Sequence, residues 1–168
     1  ASTTDSIRIE VFPNIQPTVE VAACTNHGVS VSVMDRNYNA YLINYNDGNP
    51  EVEVSGATAF RDLHSFSPGG TKTITVRGRN IGTADNCVPP TSVTMNTLAT
   101  LGVPQITRLE VINSTQIQLS YSGQPHVQYN LEVKLNNTPN YQQIGTVLNK
   151  TVDVISNLRP DDNYYCFR

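Results

Sequence analysis

Tyr41–Pro50 reads YLINYNDGNP, and the reading of this stretch decides the fold. An apolar-rich run, Tyr41, Leu42, Ile43 and Tyr45, stops at Asn46-Asp47-Gly48-Asn49-Pro50. Asp-Gly supplies the positive φ angles that a tight hairpin needs, and Pro50 has no N–H to give to a central ladder. A strand closed by such a turn is the unit of an antiparallel sheet. Further on, Leu63–Gly70 reads LHSFSPGG, and a strand follows over Thr71–Gly78. There Ile74 and Val76 share one side, with Lys72, Thr73, Thr75 and Arg77 in the polar positions.

The same alternation recurs along the chain. Ile7–Phe12 sets Ile7, Ile9 and Val11 against Arg8 and Glu10, an edge-strand pattern, and Pro13 and Pro17 bracket a break. Val19–Cys24 is a short apolar run. Gly28–Met34 alternates Val29, Val31 and Val33 with serines, and Glu51–Val54 alternates again. Ser55–Arg61 fits a loop or a weak strand, and Thr91–Thr97 closes the first half. Beyond a linker at Leu98–Pro104, strands are predicted over Ile106–Val111, Gln116–Tyr121, Val127–Leu135, Tyr141–Leu148 and Lys150–Ile155. Turns recur at the spacing of a sandwich.

Composition agrees. In 168 residues, charged side chains make up 15% and hydrophobic ones 38%. Strands rich in Thr, Ser, Asn and Val suit half-buried sheets and argue against a helical bundle. No run reaches the roughly 18 apolar residues of a membrane-spanning helix. A net charge of −3 with no Lys/Arg cluster offers no surface for nucleic acid. The chain starts at Ala1 without Met, as an excised or processed fragment does, so the missing leader says nothing about compartment. Low Lys and Glu with Thr/Asn-rich strands point to an extracellular or cell-surface location.

The cysteines are Cys24, Cys87 and Cys166, none at zinc-site spacing. The expectation is a Cys24–Cys87 disulfide, contributing about 4 kcal/mol in the chain-entropy model. The alternative is three buried thiols. With Cys24 and Cys87 paired, Cys166 would need a partner beyond the end of this fragment.

Residues 5–90 resemble the polycystic-kidney-disease (PKD) domain, a small extracellular β-sandwich. The matching pieces are N-Y-N-D-G, then H-S-F-S-P-G-G, then T-I-T-V. Tyr45 stands where the family has Trp or Phe, and Asn46 where it has its first turn glycine. The resemblance implies a structural role for His64 and makes Asp47, with Asn46, Asn49 and Glu51, a weak calcium candidate.

The second half resembles a fibronectin type III domain. Leu158–Tyr164 matches L-x-P-x-T-x-Y, with Asp162 in the Thr position. The resemblance implies that Tyr164 is the tyrosine corner, its hydroxyl bonded back to the preceding turn. The family's buried Trp is absent, and Tyr129 is the nearest substitute. Arg168 falls inside what would be the penultimate strand, so a seventh strand is expected from a continuing polypeptide or from another chain. Module order and the ending Asn-Tyr-Tyr-Cys-Phe-Arg together resemble the surface proteins of gliding Bacteroidetes, which carry gliding-motility or type IX secretion domains.

No catalytic constellation emerges. His27 and His126 sit in turns beside Gly28 and Pro125. No G-x-S-x-G elbow, calcium-loop motif or phosphate-cradling glycine loop opening a helix is present. Tyr outnumbers Phe, eight to four. Tyr41 and Tyr45 share a strand face and read as core; Tyr38 and Tyr141, in turns, read as surface binding candidates. Sequons at Asn113, Asn136 and Asn149 matter only in a glycosylating source.

The sequence therefore predicts an all-β chain of two tandem immunoglobulin-like β-sandwiches, the second lacking its last strand. The modules are 1–97 (PKD-like), a linker at 98–104, and 105–168 (fibronectin-like). The expected role is a non-catalytic structural or adhesive module of a secreted or surface protein. The alternative is an accessory, glycan-binding or spacer, region of a secreted polysaccharide-degrading enzyme. Expected partners are other domains, a chain completing the last sheet, or a glycan; no cofactor is expected.

Overall fold

The computed structural model describes residues 14–80, 89–136, 138–159 and 163–168. The strand predicted over 7–12 and the cysteine at 87 lie outside them. Among the described residues the chain is all β apart from one 3₁₀ turn, Gly56–Thr58.

The strands fall into four sheets. β1 (Val19–Ala23), β2 (Gly28–Val33) and β5 (Arg61–Ser65) form one, in the order β1-β2-β5. β3 (Ala40–Asn44), β4 (Val52–Ser55), β6 (Thr71–Arg79) and β7 (Thr91–Asn96) form a second, in the order β4-β3-β6-β7. β8 (Gln105–Asn113), β9 (Gln116–Ser122) and β12 (Val152–Ile155) form a third, in the order β12-β9-β8. β10 (Gln128–Leu135), β11 (Gln142–Leu148) and β13 (Tyr165–Phe167) form the fourth, in the order β11-β10-β13.

The two halves repeat one strand arrangement. In each, the first, second and fifth strands share a sheet, and the fourth, third and sixth share the other. This is the two-sheet plan of an immunoglobulin-like sandwich. In the first half β6 lies between β3 and β7; among the described residues its counterpart β13 pairs with β10 alone. The chain is thus two tandem β-sandwiches, the second with one strand fewer among the described residues.

The YLINYNDGNP stretch folds as its residues dictate. β3 pairs antiparallel with β4, Ile43 opposite Val52 and Ala40 opposite Ser55. Between them Asn46 takes φ 51° and Gly48 φ 88°. Asn is among the few side chains that tolerate that left-handed region, and glycine has no Cβ to clash there. The Asn46 side-chain amide donates to the Thr73 carbonyl at 2.8 Å, tying the turn to β6.

Two local expectations are corrected. Ser55–Arg61 is neither loop nor strand throughout: it holds the 3₁₀ turn and left-handed φ values at Ala59 and Phe60. β5 was not expected, because Arg-Asp-Leu-His-Ser has no apolar alternation. Its less exposed positions are Asp62 and His64, while Leu63 points outward at 67% exposure.

The chain divides into two compact units: Ala1–Glu20 with Val31–Asp62 and Lys72–Thr94, and Val21–Ser30 with Leu63–Thr71 and Met95–Arg168. In the first, Val31, Val33, Tyr41, Ile43, Val54, Ile74 and Val76 are buried, with residues from both of the first half's sheets. In the second, Leu119 and Tyr121 of β9, Leu131 of β10 and Val147 of β11 form a core, with Tyr129, Ile155 and Phe167 packed on it. At roughly 1.5–3 kcal/mol for each fully buried large apolar side chain, such clusters are what hold small sandwiches together.

Candidate functional site

The tyrosines are the richest chemistry in the first half, and the sheets turn them inward. Tyr41 is fully buried, and its hydroxyl donates to the Asp35 carboxylate. Asp35 also accepts from the Thr18 amide at 2.6 Å and the Asn37 amide at 3.2 Å. Burial pushes the Asp35 carboxyl up, but these three donors outweigh it and hold it below its ordinary value. Burial, then the bond to Asp35, pushes the Tyr41 hydroxyl up to about 12. Tyr45 repeats the device: it donates to Asp62 at 2.8 Å, and burial followed by that carboxylate pushes its hydroxyl up. Both phenols are held as neutral hydrogen-bond donors. Nothing here activates them as nucleophiles or bases.

Tyr38 corrects an expectation. Read as a surface candidate, it is 4% exposed. Its hydroxyl donates to the Ile15 carbonyl at 2.7 Å and accepts from the Ile15 amide at 2.9 Å. Its ring meets Tyr41 edge-on, centroids 5.7 Å apart. Gly78 clears the space: a Cβ there would lie only 2.2–2.5 Å from Tyr38 ring atoms. The turn that carries Tyr38 is polar, but the side chain folds back into the core.

Tyr141 is half-buried, with the Arg168 guanidinium 4.2 Å and the Lys134 ammonium 5.4 Å from its ring centroid. Arg168 also pairs with Glu132 at 2.6 Å. A sugar stacking on the face that Arg168 covers has first to displace that guanidinium.

His64 lies edge-on to the buried Phe66, centroids 4.7 Å apart, a packing position. His27 and His126 take left-handed φ values of 56° and 61° in their turns. Asp47 is exposed, and its two carboxylate oxygens accept from Asn49, one from the backbone amide at 3.1 Å and one from the side chain at 2.9 Å. Among the described residues no three His, Cys, Asp or Glu side chains converge as metal ligands. Among the described residues Cys24 and Cys166 form no disulfide; the expected pairing of Cys24 with Cys87 involves a residue outside the described ones.

Tyr164 is 52% exposed, and its backbone N–H donates to the Asn136 side-chain oxygen at 3.0 Å. The neighbouring Tyr165 hydroxyl accepts from the Arg159 backbone N–H at 2.9 Å.

An apolar cleft of about 340 Å³ opens in the second unit, lined by Ile106, Tyr121, Leu131, Val147 and Phe167 among others. Of its lining residues only Arg168 is charged. Among the described residues the buried Tyr121 hydroxyl finds no hydrogen-bond partner, and burial followed by the nearby Asp153 charge pushes it up.

No family model and no curated protein matches the chain. Among solved structures it is similar to the FN1-FN3 domains of chicken CNTN1, at 18% identity and a TM-score of 0.43, covering 98% of this chain and 63% of that one. It is also similar to a two-domain fibronectin type-III segment of chicken tenascin, at 16% identity and a TM-score of 0.38, covering 89% and 86%. The chain thus spans less than two thirds of the first of these structures. Neither likeness is strong enough to stand for family membership; fold and role rest on the chain's own geometry.

Proposed function

We propose that this chain is a non-catalytic spacer of a secreted or cell-surface protein, with a structural and adhesive role. The observation that carries it is the repeated sandwich plan, in which the reactive side chains that could do chemistry are used to close the cores. Tyr41, Tyr45, Asp35 and Asp62 pair with one another, and the cleft is apolar. Small rigid sandwiches in series set a distance and present their neighbours. Among the described residues no helix is long and apolar enough to cross a membrane.

The modules we assign are 1–97, PKD-like, and 105–168, fibronectin-like, with 98–104 between them. Their support is that among the described residues no sheet mixes strands from before and after the linker. The β13 edge is the natural place for a further strand, from the same polypeptide or from another chain. The module order and the Asn163–Arg168 ending favour a protein of the gliding-motility or type IX secretion kind.

The decisive experiment is replacement. In the protein that carries it, exchange for an unrelated tandem sandwich of equal length should preserve adhesion. Loss of adhesion after a well-folded exchange would mean that this chain's own surface recognises something. The runner-up is weak glycan binding by an accessory region, with half-buried Tyr141 as the aromatic that favours it. A glycan array separates the two: a flat response supports the spacer, and a defined polysaccharide signal lost in Tyr141→Ala supports the runner-up.

A further inference from the structure

The two outer strands of the β12-β9-β8 sheet are unlike each other. β12 is four residues long, and Asp153 lies opposite buried Leu119, so its carboxylate is turned toward the core face. A short edge with an inward charge resists pairing with a new strand. β8 has neither protection. It is nine residues long, QITRLEVIN, and all nine are exposed. Ile106, Leu109, Val111 and Ile112 are 45–53% exposed. A long apolar edge of this kind is a template for another strand.

The sequence of β8 says which strand. Around Leu109 it is self-complementary when read antiparallel. Arg108 falls opposite Glu110 of a second copy, and Glu110 opposite that copy's Arg108. Ile106 meets Ile112, Thr107 meets Val111, and Gln105 meets Asn113. A parallel in-register arrangement would instead place Arg on Arg and Glu on Glu, which is unfavourable. The Arg108 and Glu110 side chains already lie 3.0 Å apart and well exposed, so a two-fold pairing would join them into a ring of four alternating charges. Register irregularities between Ile106 and Arg108 and between Val111 and Asn113 flank this centre, leaving 108–111 regular against β9. Irregularities bend a strand and limit pairing to its middle, where the charges are.

We propose that β8 is a homotypic docking edge: two copies of this chain associate antiparallel through Arg108–Val111 about a two-fold axis at Leu109. Such an isologous contact closes on itself and gives a dimer rather than a filament.

The test is sedimentation equilibrium of the chain over a concentration series, with circular dichroism confirming the fold of each variant. Wild type should show a reversible monomer–dimer equilibrium that weakens with salt. Arg108→Glu and Glu110→Arg, each alone, should weaken self-association at least about tenfold, because two opposite-charge pairs become two like-charge pairs. The double variant Arg108→Glu/Glu110→Arg should restore it, and mixing the two single variants should give a heterodimer. A wild-type chain monomeric at every concentration overturns the proposal. So does a dimer indifferent to both reversals, which would place association on another surface. If either single variant fails to fold, the double variant alone decides: restored wild-type association supports the contact, and a folded monomer overturns it.

Discussion

The Tyr165 hydroxyl accepts a hydrogen bond at 2.9 Å from the backbone N–H of Arg159, six positions earlier in the chain. The Asn163 N–H also donates to the Arg159 carbonyl, at 3.0 Å. Tyr165→Phe removes the acceptor while keeping the ring. It should cost about 1 kcal/mol, the usual net worth of one hydrogen bond. Urea unfolding of the variant checks this; an unchanged stability would show that the bond contributes nothing in solution.

Most strands are legible in the sequence, and several side-chain placements are not. Alternation in Val29–Val33, Ile74–Val76 and Ile117–Tyr121 places most strands, because burying one face demands period two. The DGNP block places the hairpin, because few residues accept its φ values. The L-x-P-x-T-x-Y match points to Tyr164 and says nothing of Tyr165, whose hydroxyl accepts from the Arg159 backbone N–H. Polarity of the flanking residues likewise hid Tyr38, whose depth depends on Gly78 leaving room for its ring, a long-range fact. β5 was illegible because its inward positions are an acid and a histidine. There Asp62 accepts from the hydroxyl of Tyr45, seventeen residues earlier.

The same tyrosine–aspartate pairs set an alkaline limit on stability. Tyr41 is pushed up to about 12, from an ordinary value of 10. Between those values the unfolded chain releases the phenolic proton and the folded chain keeps it. The stabilisation is therefore complete below pH 10 and is lost as pH rises through about 12. Tyr45 shifts in the same direction and adds to the slope. Urea midpoints measured from pH 8.5 upward should fall steeply above about 10, and Tyr41→Phe should flatten that fall. An unchanged slope in the variant would count against the Asp35 bond. At the acid end Asp35 is lowered, so its contribution is present above the ordinary carboxylate range and disappears as pH falls through its folded value.

Gly78 is buried in β6 opposite Tyr41, directly against the Tyr38 ring. Gly78→Ala inserts a methyl where ring atoms already lie. Overpacking of this kind costs about 1–3 kcal/mol. The pair Gly78→Ala/Tyr38→Leu should recover part of the loss, since a smaller, flexible side chain can yield. Thermal unfolding of the single and double variants tests the contact, and simple additivity of the two losses would show that it is not the cause.

The β13 edge makes the sharpest residue-level prediction. Arg168 and Glu132 exchange both backbone bonds, at 3.1 and 3.0 Å. Cys166 pairs with Lys134 two residues earlier in the same register, so the amides of Cys166 and Arg168 point into the sheet. Those of Tyr165 and Phe167 then point away from β10, on the side where β6 has β7. Hydrogen exchange should accordingly be slow at Cys166 and fast at Tyr165 and Phe167, whereas β6, flanked by β3 and β7, should be protected along its length. A strand added from another domain or chain should slow Tyr165 and Phe167 selectively, leaving Cys166 as it was. If all three amides are equally protected in the isolated chain, the edge is already covered and the one-strand difference between the two sandwiches does not exist in solution.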